Sequence, residues 1–388
     1  MTLTRRQFGK LALAGLPASA VLARSESIFG AFLQSKPNSL IDGVQIGTIT
    51  YSYRQMPDQS AEATLKYLLD GGLSACELMD GPAETFAGRP AGPGRGGFPG
   101  GGGRGRRGEG EPAPPPQLGP GEKLGEWHGQ QCVVGADGQV VTPGRGGRGG
   151  GGGRRGADLT PEQQAEQEEA QKKLREWRTS VSMDRFKALR KMYNDAGVTI
   201  YAYKSDGLQK NMQTSQEELE YVFTVASALG ATHTTMELPA GADAEAMLKR
   251  MAALAEKHQV AIAYHSHLQG SMTAFDQALA VSTWSMSNVD LGHFVAGGNK
   301  GGTPLDFLNK FHDRIASFHL KDRTLPEHCS LNLPWGQGET PIKDILQLVK
   351  KNKWKMPASI EFEYNVPEGS DAVQEVKKCV DYCRRALA

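Results

Sequence analysis

Val260-Ala261-Ile262-Ala263-Tyr264-His265-Ser266-His267 is a short apolar run that finishes in two histidines. The same plan recurs three times further on: Val289-Asp290-Leu291-Gly292-His293, then Ile315-Ala316-Ser317-Phe318-His319-Leu320-Lys321-Asp322-Arg323, then Ala358-Ser359-Ile360-Glu361-Phe362-Glu363. Short continuous runs of apolar and β-branched residues read as strands buried on both faces, the habit of parallel sheets. An ionisable side chain is costly to bury unless it is paired or bound to a metal. Strand after strand finishing in His, Asp or Glu therefore marks a placed set, since chance would scatter such residues over helix faces.

Toward the N-terminus the series continues. Residues 232–238 form a strand-like run ending at Glu237, 198–203 one followed by Lys204, 75–79 one carrying Glu77, and 44–51 the first. With 260–265, 289–293, 315–320 and 358–362 they make eight. Helical periodicity fills the intervals over 61–69, 184–195, 216–229, 243–258, 272–283, 304–311 and 342–350, with terminal glycines such as Gly197 and Gly230 where a left-handed C-cap is expected. Eight strands alternating with crossover helices predict an α/β fold, a closed (β/α)8 TIM barrel. An open doubly wound sheet would need a glycine fingerprint after the first strand, and Gly47-Thr48-Ile49 supplies none.

The chain has 388 residues, more than the roughly 250 of a single barrel. Two segments account for the excess. Residues 1–35 read as an export signal and linker: Arg5-Arg6-Gln7-Phe8-Gly9-Lys10, then an apolar run over 11–23 too short to span a membrane. The arginine pair is that of a twin-arginine signal, so an exported, periplasmic or extracellular protein is expected, with no membrane span after cleavage. The barrel domain then covers 40–388 and is interrupted at 88–157. This Gly-, Arg- and Pro-rich insertion after strand two includes Gly100 to Gly103, Pro114-Pro115-Pro116 and Gly149 to Gly153. Such composition predicts disorder and no packing on the barrel, except that Ala136-Asp137-Gly138 can turn a hairpin within 127–142. A capped, charged helix resumes at Thr160-Pro161-Glu162. The scattered arginines suit a solvated loop better than a nucleic-acid arm in an exported protein. Charge is balanced, 44 Lys+Arg against 43 Asp+Glu, which gives no reason to expect nucleic acid or anionic membrane as a partner. The five cysteines are odd in number and lack C-x-x-C spacing, which argues against a disulfide framework and a Cys-rich zinc site.

At the mouth of a barrel, function lies at the C-terminal ends of the strands. Glu237, Asp290, His319 and Glu361 are expected there as an oxygen-rich set suited to one Mn2+, Mg2+ or Co2+ ion, with Zn2+ also accommodated. Taken singly, a histidine at a strand end is usually structural, and His258, His312 and His328 are read so. Glu361 and Glu363 are two apart on a strand and point to the same side.

The motifs Met236-Glu237, Asp290-Leu291-Gly292-His293, Phe318-His319-Leu320-Lys321-Asp322, Pro334-Trp335-Gly336-Gln337-Gly338-Glu339 and Ser359-Ile360-Glu361-Phe362-Glu363 resemble those of the xylose-isomerase-like barrel superfamily. It includes sugar isomerases, ketose 3-epimerases, inosose dehydratases and apurinic endonucleases. The resemblance spans about residues 43–385, less the insertion. It implies that Glu237, Asp290, His319 and Glu361 bind the metal, that Glu237 and Glu361 act as acid and base, and that His293 and the second histidine of Tyr264-His265-Ser266-His267, His267, face the substrate. Lys321, Asp322, Glu363 and Glu77 are further candidates for substrate contact. The trinuclear nuclease branch is disfavoured, because Asp322-Arg323-Thr324-Leu325 lacks that branch's Asp-x-His and strands two and three end in Glu77 and Tyr203-Lys204.

The expected activity is metal-dependent isomerisation or epimerisation of a sugar or keto-sugar through an enediolate. The alternatives are a lyase or hydrolase of 3-keto-glycosides using the same metal, and a secreted sugar-binding barrel without catalysis. A small-molecule carbohydrate is the expected partner, and composition is compatible with a monomer or an oligomer.

Overall fold

The computed structural model describes residues 36–91, 118–141, 160–205, 208 and 214–388. Eight parallel strands close into a barrel: β1 (Val44–Ile49), β2 (Ala75–Met79), β3 (Thr199–Lys204), β4 (His233–Glu237), β5 (Ala261–His265), β6 (Ser285–Asp290), β7 (Ile315–Leu320) and β8 (Ala358–Ile360). Each pairs with its sequence neighbours, and β8 pairs with β1 to complete the ring. A short antiparallel strand, Leu40–Ile41, extends β1. This is the expected TIM barrel.

The surrounding helices are α1 (Ala61–Asp70), α2 (Asp80–Phe86), α3 (Pro161–Ser180), α4 (Met183–Asp195), α5 (Gln216–Leu229), α6 (Ala244–His258), α7 (Asp276–Val281), α8 (Leu291–Ala296), α9 (Pro304–Phe311), α10 (Ile342–Asn352) and α11 (Ala372–Leu387). Their apolar stripes recur at helical spacing, as with Ile342, Ile345, Leu346 and Val349 of α10, all buried. Caps are those the sequence offers. Thr160 and Gln163 form a reciprocal capping box on α3, and Gly230 ends α5 in the left-handed region. Among the described residues no helix is long and apolar enough to cross a membrane.

One strand lies elsewhere than its sequence suggests. The sixth was expected over 289–293, but β6 runs from Ser285 to Asp290 and His293 sits in α8. The reason is that the barrel interior here is polar. Ser285, Ser287 and Asn288 are fully buried, and Asn288 Nδ2 donates to Ser317 Oγ of β7 at 2.7 Å. A reading based on apolar runs passes over a strand whose buried side chains include two Ser and an Asn. Similarly, α7 is shorter than the helix expected over 272–283, and α2 and α8 have no counterpart among the expected helices.

The insertion is also more structured than its composition suggests. Residues 92–117 and 142–159, and the export signal expected over 1–35, lie outside the described residues. Between them, Lys123–Trp127, Gln130–Val134 and Val140–Val141 form a three-stranded antiparallel sheet. The turn at residues 135–139 is the one expected at Ala136-Asp137-Gly138, closed by Gly135 N donating to Gln139 O at 2.8 Å. The first hairpin turns through His128 and Gly129, both at positive φ, as a two-residue hairpin loop requires. Contrary to the cysteine reading, Cys132 of this sheet forms a disulfide with Cys329, 197 residues away. An odd cysteine count excludes complete pairing, not one bridge, and spacing says nothing about a pair so distant in sequence. Cys76, Cys379 and Cys383 are free and buried.

Both roots of the insertion are held by one carboxylate. Glu84 of α2 is fully buried and pairs with Arg89 at 3.0 Å and with Arg178 of α3 at 3.0 Å, while Tyr221 Oη donates to it at 3.2 Å.

Candidate metal centre

Asp290 ends β6 and at once caps α8: its Oδ1 accepts from His293 N at 2.7 Å. The Asp-x-x-His spacing thus has a local cause, since the N-cap side chain bonds the third residue of the helix. Its other oxygen, Oδ2, makes no aligned hydrogen bond and lies 3.1 Å from the Lys321 ammonium. Gly292 lets this turn form, because a Cβ there would strike the side chain and carbonyl of Lys321.

On β7, His319 is fully buried between two carboxylates. Its Nδ1 lies 2.8 Å from Glu361 Oε2 and its Nε2 2.8 Å from Glu77 Oε2. Burial alone would lower its pKa, but Glu77 and Glu361 raise it to about 10. Glu77, whose other oxygen accepts from Thr235, is held down at about 2: burial pulls the other way and is outweighed by His319. Lys321 Nζ lies 2.6 Å from Glu363, 3.0 Å from Glu361 and 3.1 Å from His293 Nε2. Strand β8 itself ends at Ile360, yet Glu361 and Glu363 converge on this one ammonium, so their shared side is as expected.

His265, Asp290, His319 and Glu361 offer ligand atoms that all lie within 4.8 Å of one another, and all four residues are buried. A second set, Glu237, His265 and His267, satisfies the same limit and shares His265. Of the quartet read from sequence, Asp290, His319 and Glu361 come together directly. Glu237 stands beside them across His265, its register partner on β5, with Lys204 at 3.1 Å and His267 at 3.4 Å. Burial works to raise its pKa, but Lys204, His265 and His267 hold it at about 2.

The remaining candidates divide. His267 is half exposed and, with His293, rims the pocket, their rings 4.9 Å apart. Lys321 and Glu363 are within it. Asp322 is not: its carboxylate accepts from the backbone N–H groups of Gly336, Gln337, Gly338 and Thr340, which folds the Gly-x-Gly-Glu loop around it. Glu77 is sealed beneath His319 and has no exposure to the mouth. Both were read as substrate contacts because sequence shows the strand end and not the direction of the side chain. Reading from sequence also passed over His265 as a ligand and Lys204 as a charge partner.

Two observations test whether these residues suit a cation. First, His265 Nδ1 lies 2.8 Å from Asn288 Oδ1, and Asn288 Nδ2 is engaged by Ser317, so Oδ1 is the oxygen that receives the imidazole proton. That tautomer leaves Nε2 with a lone pair, the arrangement that outer hydrogen bonds impose on metal-binding histidines. Burial pushes His265 down to about 3, so it stays neutral. Second, among the described residues Glu77, Glu237, Asp290, Glu361 and Glu363 face only Lys204, Lys321 and Arg323 as permanent cations. The deficit is two positive charges when His319 is neutral. A divalent ion fits that deficit, and the N/O donor set suits a hard or borderline metal.

Residues 164–385 match the sequence model described as xylose isomerase-like TIM barrel. The chain belongs to this family. No curated protein matches it. Among solved structures, the family barrel is similar to a sugar phosphate isomerase/epimerase from Parabacteroides distasonis (14% identity, 88% of this chain and 93% of that one, TM-score 0.51). It is also similar to a D-psicose 3-epimerase, crystallised with D-tagatose, from Clostridium cellulolyticum (8%, 89% and 99%, TM-score 0.52). A third is the probable 3-DHS dehydratase of Bacillus anthracis (12%, 87% and 98%, TM-score 0.51). At these identities the likeness is one of fold.

Proposed function

We propose that the protein is a divalent-metal-dependent isomerase or epimerase of a sugar or keto-sugar, working through an enediolate. The observation that carries this reading is the buried set His265, Asp290, His319 and Glu361, with the ionised Glu237 beside it. An ion bound there would polarise a substrate carbonyl and make the adjacent C–H proton acidic. Glu237 is held as a carboxylate by Lys204 and can take a proton at the open side of the site, while Glu361 flanks the other side against Lys321. His267 and His293 on the rim can hold substrate hydroxyls. The fold neighbours named as isomerase/epimerase, 3-epimerase and dehydratase all support chemistry that begins beside a carbonyl. Two imidazoles and two carboxylates, with Glu237 beside them, suit Mn2+, Mg2+ or Co2+, with Zn2+ also accommodated.

The test is solvent exchange. With the metal loaded and free ketoses, 3-keto-glucose or 3-keto-glycosides supplied in heavy water, deuterium should enter the carbon beside the carbonyl. A Glu237→Gln variant should lose roughly 10²–10⁴-fold in that rate. A new stereoisomer without release of an aglycone identifies the epimerase, and aglycone release identifies the lyase. Sugar binding with no exchange for any candidate would leave only the non-catalytic binder.

The proposed setting is outside the cytoplasm. The Arg5-Arg6 motif carries this, and the Cys132–Cys329 disulfide supports it, since such bonds persist in oxidising compartments. Changing both arginines to lysine should leave the precursor uncleaved in the cytoplasm. Normal secretion of that variant would exclude the twin-arginine route.

A further inference from the structure

The described part of the insertion rests on the loops that follow β6 and β7. Gln139 Nε2 donates to the Gly297 carbonyl at 3.3 Å. The Trp127 ring lies 5.0 Å from that of His328. A Cβ on Gly125 would strike the Glu327 carbonyl, so this strand lies directly on the turn Pro326–His328. The disulfide to Cys329 makes the contact covalent.

The loop it grips has a conformation that needs holding. Cys329 and Ser330, neither a glycine, adopt φ of 70° and 47° in succession. Such backbone persists only where the surroundings over-determine it. Here Ser330 N donates to Leu325 O at 3.0 Å and Ser330 Oγ to Ala296 O at 2.9 Å, with the S–S bond one residue away. The Ser330 carbonyl in turn accepts from Arg323 Nη2. The other arm of that guanidinium, Nη1, lies 2.5 Å from His293 Nδ1 on the rim of the metal centre. Arg323 is only 7% exposed and forms no ion pair with a carboxylate among the described residues. Its place is set by these two neighbours, one of them fixed by the disulfide.

We propose that the Cys132–Cys329 disulfide is a positioning element of the candidate site: it fixes Ser330, and through the Ser330 carbonyl it aligns Arg323 against His293. The sheet of the insertion is then part of the site's frame, and the site is fully ordered only when the bond is closed. Reduction by a dithiol delivers two electrons and two protons to the S–S bond, yields the two thiols and leaves the reductant as its own disulfide. Residues 329–330 can then relax, and Arg323 loses one of its two anchors. The metal ligands sit on strand ends and do not depend on this loop. The consequence for substrate rests on the function proposed above; the consequence for Arg323 does not.

The experiment compares the intact protein, the dithiol-reduced protein and Cys132→Ser, each labelled with phenylglyoxal and read by peptide mass. Arg323 should be modified at least fivefold faster without the disulfide, with Arg178, nearly buried in its pair with Glu84, unchanged as an internal control. Mn2+ affinity should stay within twofold. With a turned-over keto-sugar, KM should rise severalfold with kcat little changed. Arg323→Lys should reproduce the KM effect, and reduction of that variant should add nothing to it. Equal labelling of Arg323 in all three forms overturns the proposal, as does a parallel rise at Arg178, which would mean general loosening. If no sugar is turned over, the labelling decides alone.

Discussion

Glu77 and His319, 242 residues apart in sequence, meet at 2.8 Å with both side chains wholly buried. The contact leaves His319 Nδ1 directed at Glu361 and fixes the ring by its other nitrogen, as carboxylates do behind metal-bound histidines. Glu77→Gln keeps a hydrogen-bond acceptor but removes the charge. Metal affinity should fall about 10–100-fold, the usual cost of losing such an outer partner, measured by competition with a fluorescent chelator. Unchanged affinity would remove Glu77 from the metal centre.

Proton release gives a second check. In the metal-free protein His319, with a pKa raised to about 10, is an imidazolium at pH 8. An ion that takes its place between the carboxylates must displace that proton. Asp290, raised by burial to only about 6, is already ionised at that pH. Calorimetry in buffers of differing ionisation enthalpy should therefore show about one proton released per ion at pH 8. The stability term has a definite sign. A raised histidine pKa contributes fully below its ordinary value of about 6.5 and is lost as pH rises through about 10. Metal-free protein should lose melting temperature across that window, whereas metal-loaded protein should not.

These residues also show what the sequence could and could not reveal. His319 and Glu361 were legible because each falls at the end of an apolar run, and Asp290 through its Asp-x-x-His spacing, although the strand it closes is polar. His265 was visible as a strand end but not as a ligand, since its tautomer is set by Asn288, a polar side chain inside a strand that apolar patterning places too late. Glu77 and Asp322 were visible as charges at strand ends. Their roles depend on which way the side chain turns, and one turns beneath His319 and the other toward the 336–340 loop. The Cys132–Cys329 bond and the sheet around it were hidden by glycine-rich flanks whose composition dominates any window that includes them.

The insertion should be anchored at Glu84. Its carboxylate, itself fully buried, holds the exposed Arg89 at the start of the insertion and the nearly buried Arg178 after it. Glu84→Gln leaves Arg178, itself nearly buried, with only the longer contact to Glu218 at 3.5 Å among the described residues. Breaking one side of a buried pair costs about 3–5 kcal/mol. Chemical denaturation should show a loss of that size, where an exposed pair such as Lys66–Asp70, cut by Asp70→Asn, should cost about 0–1 kcal/mol. A small loss at both positions would show that the roots are held by packing instead.

Lys321 yields the most discriminating prediction because its two effects have opposite signs. Its ammonium lies among Asp290, Glu361 and Glu363 at 3.1, 3.0 and 2.6 Å. Burial disfavours its charge, but Asp290 and Glu361 more than compensate and raise its pKa above the ordinary lysine value. In the metal-free protein it is therefore the main neutralising charge for two proposed ligands. An ion bound by Asp290 and Glu361 competes with it for the same oxygens and repels it. In Lys321→Met the metal-free protein should lose about 3–5 kcal/mol, because buried carboxylates are left uncompensated. The same variant should bind Mn2+ more tightly, by about tenfold or more, which corresponds to about 1.4 kcal/mol. Denaturation with and without the ion measures both in one experiment: the gap in stability between loaded and empty protein should widen relative to the parent. A gap that narrows would mean that Lys321 supports the ligands in the loaded state, and that the ion does not take its oxygens from Asp290 and Glu361.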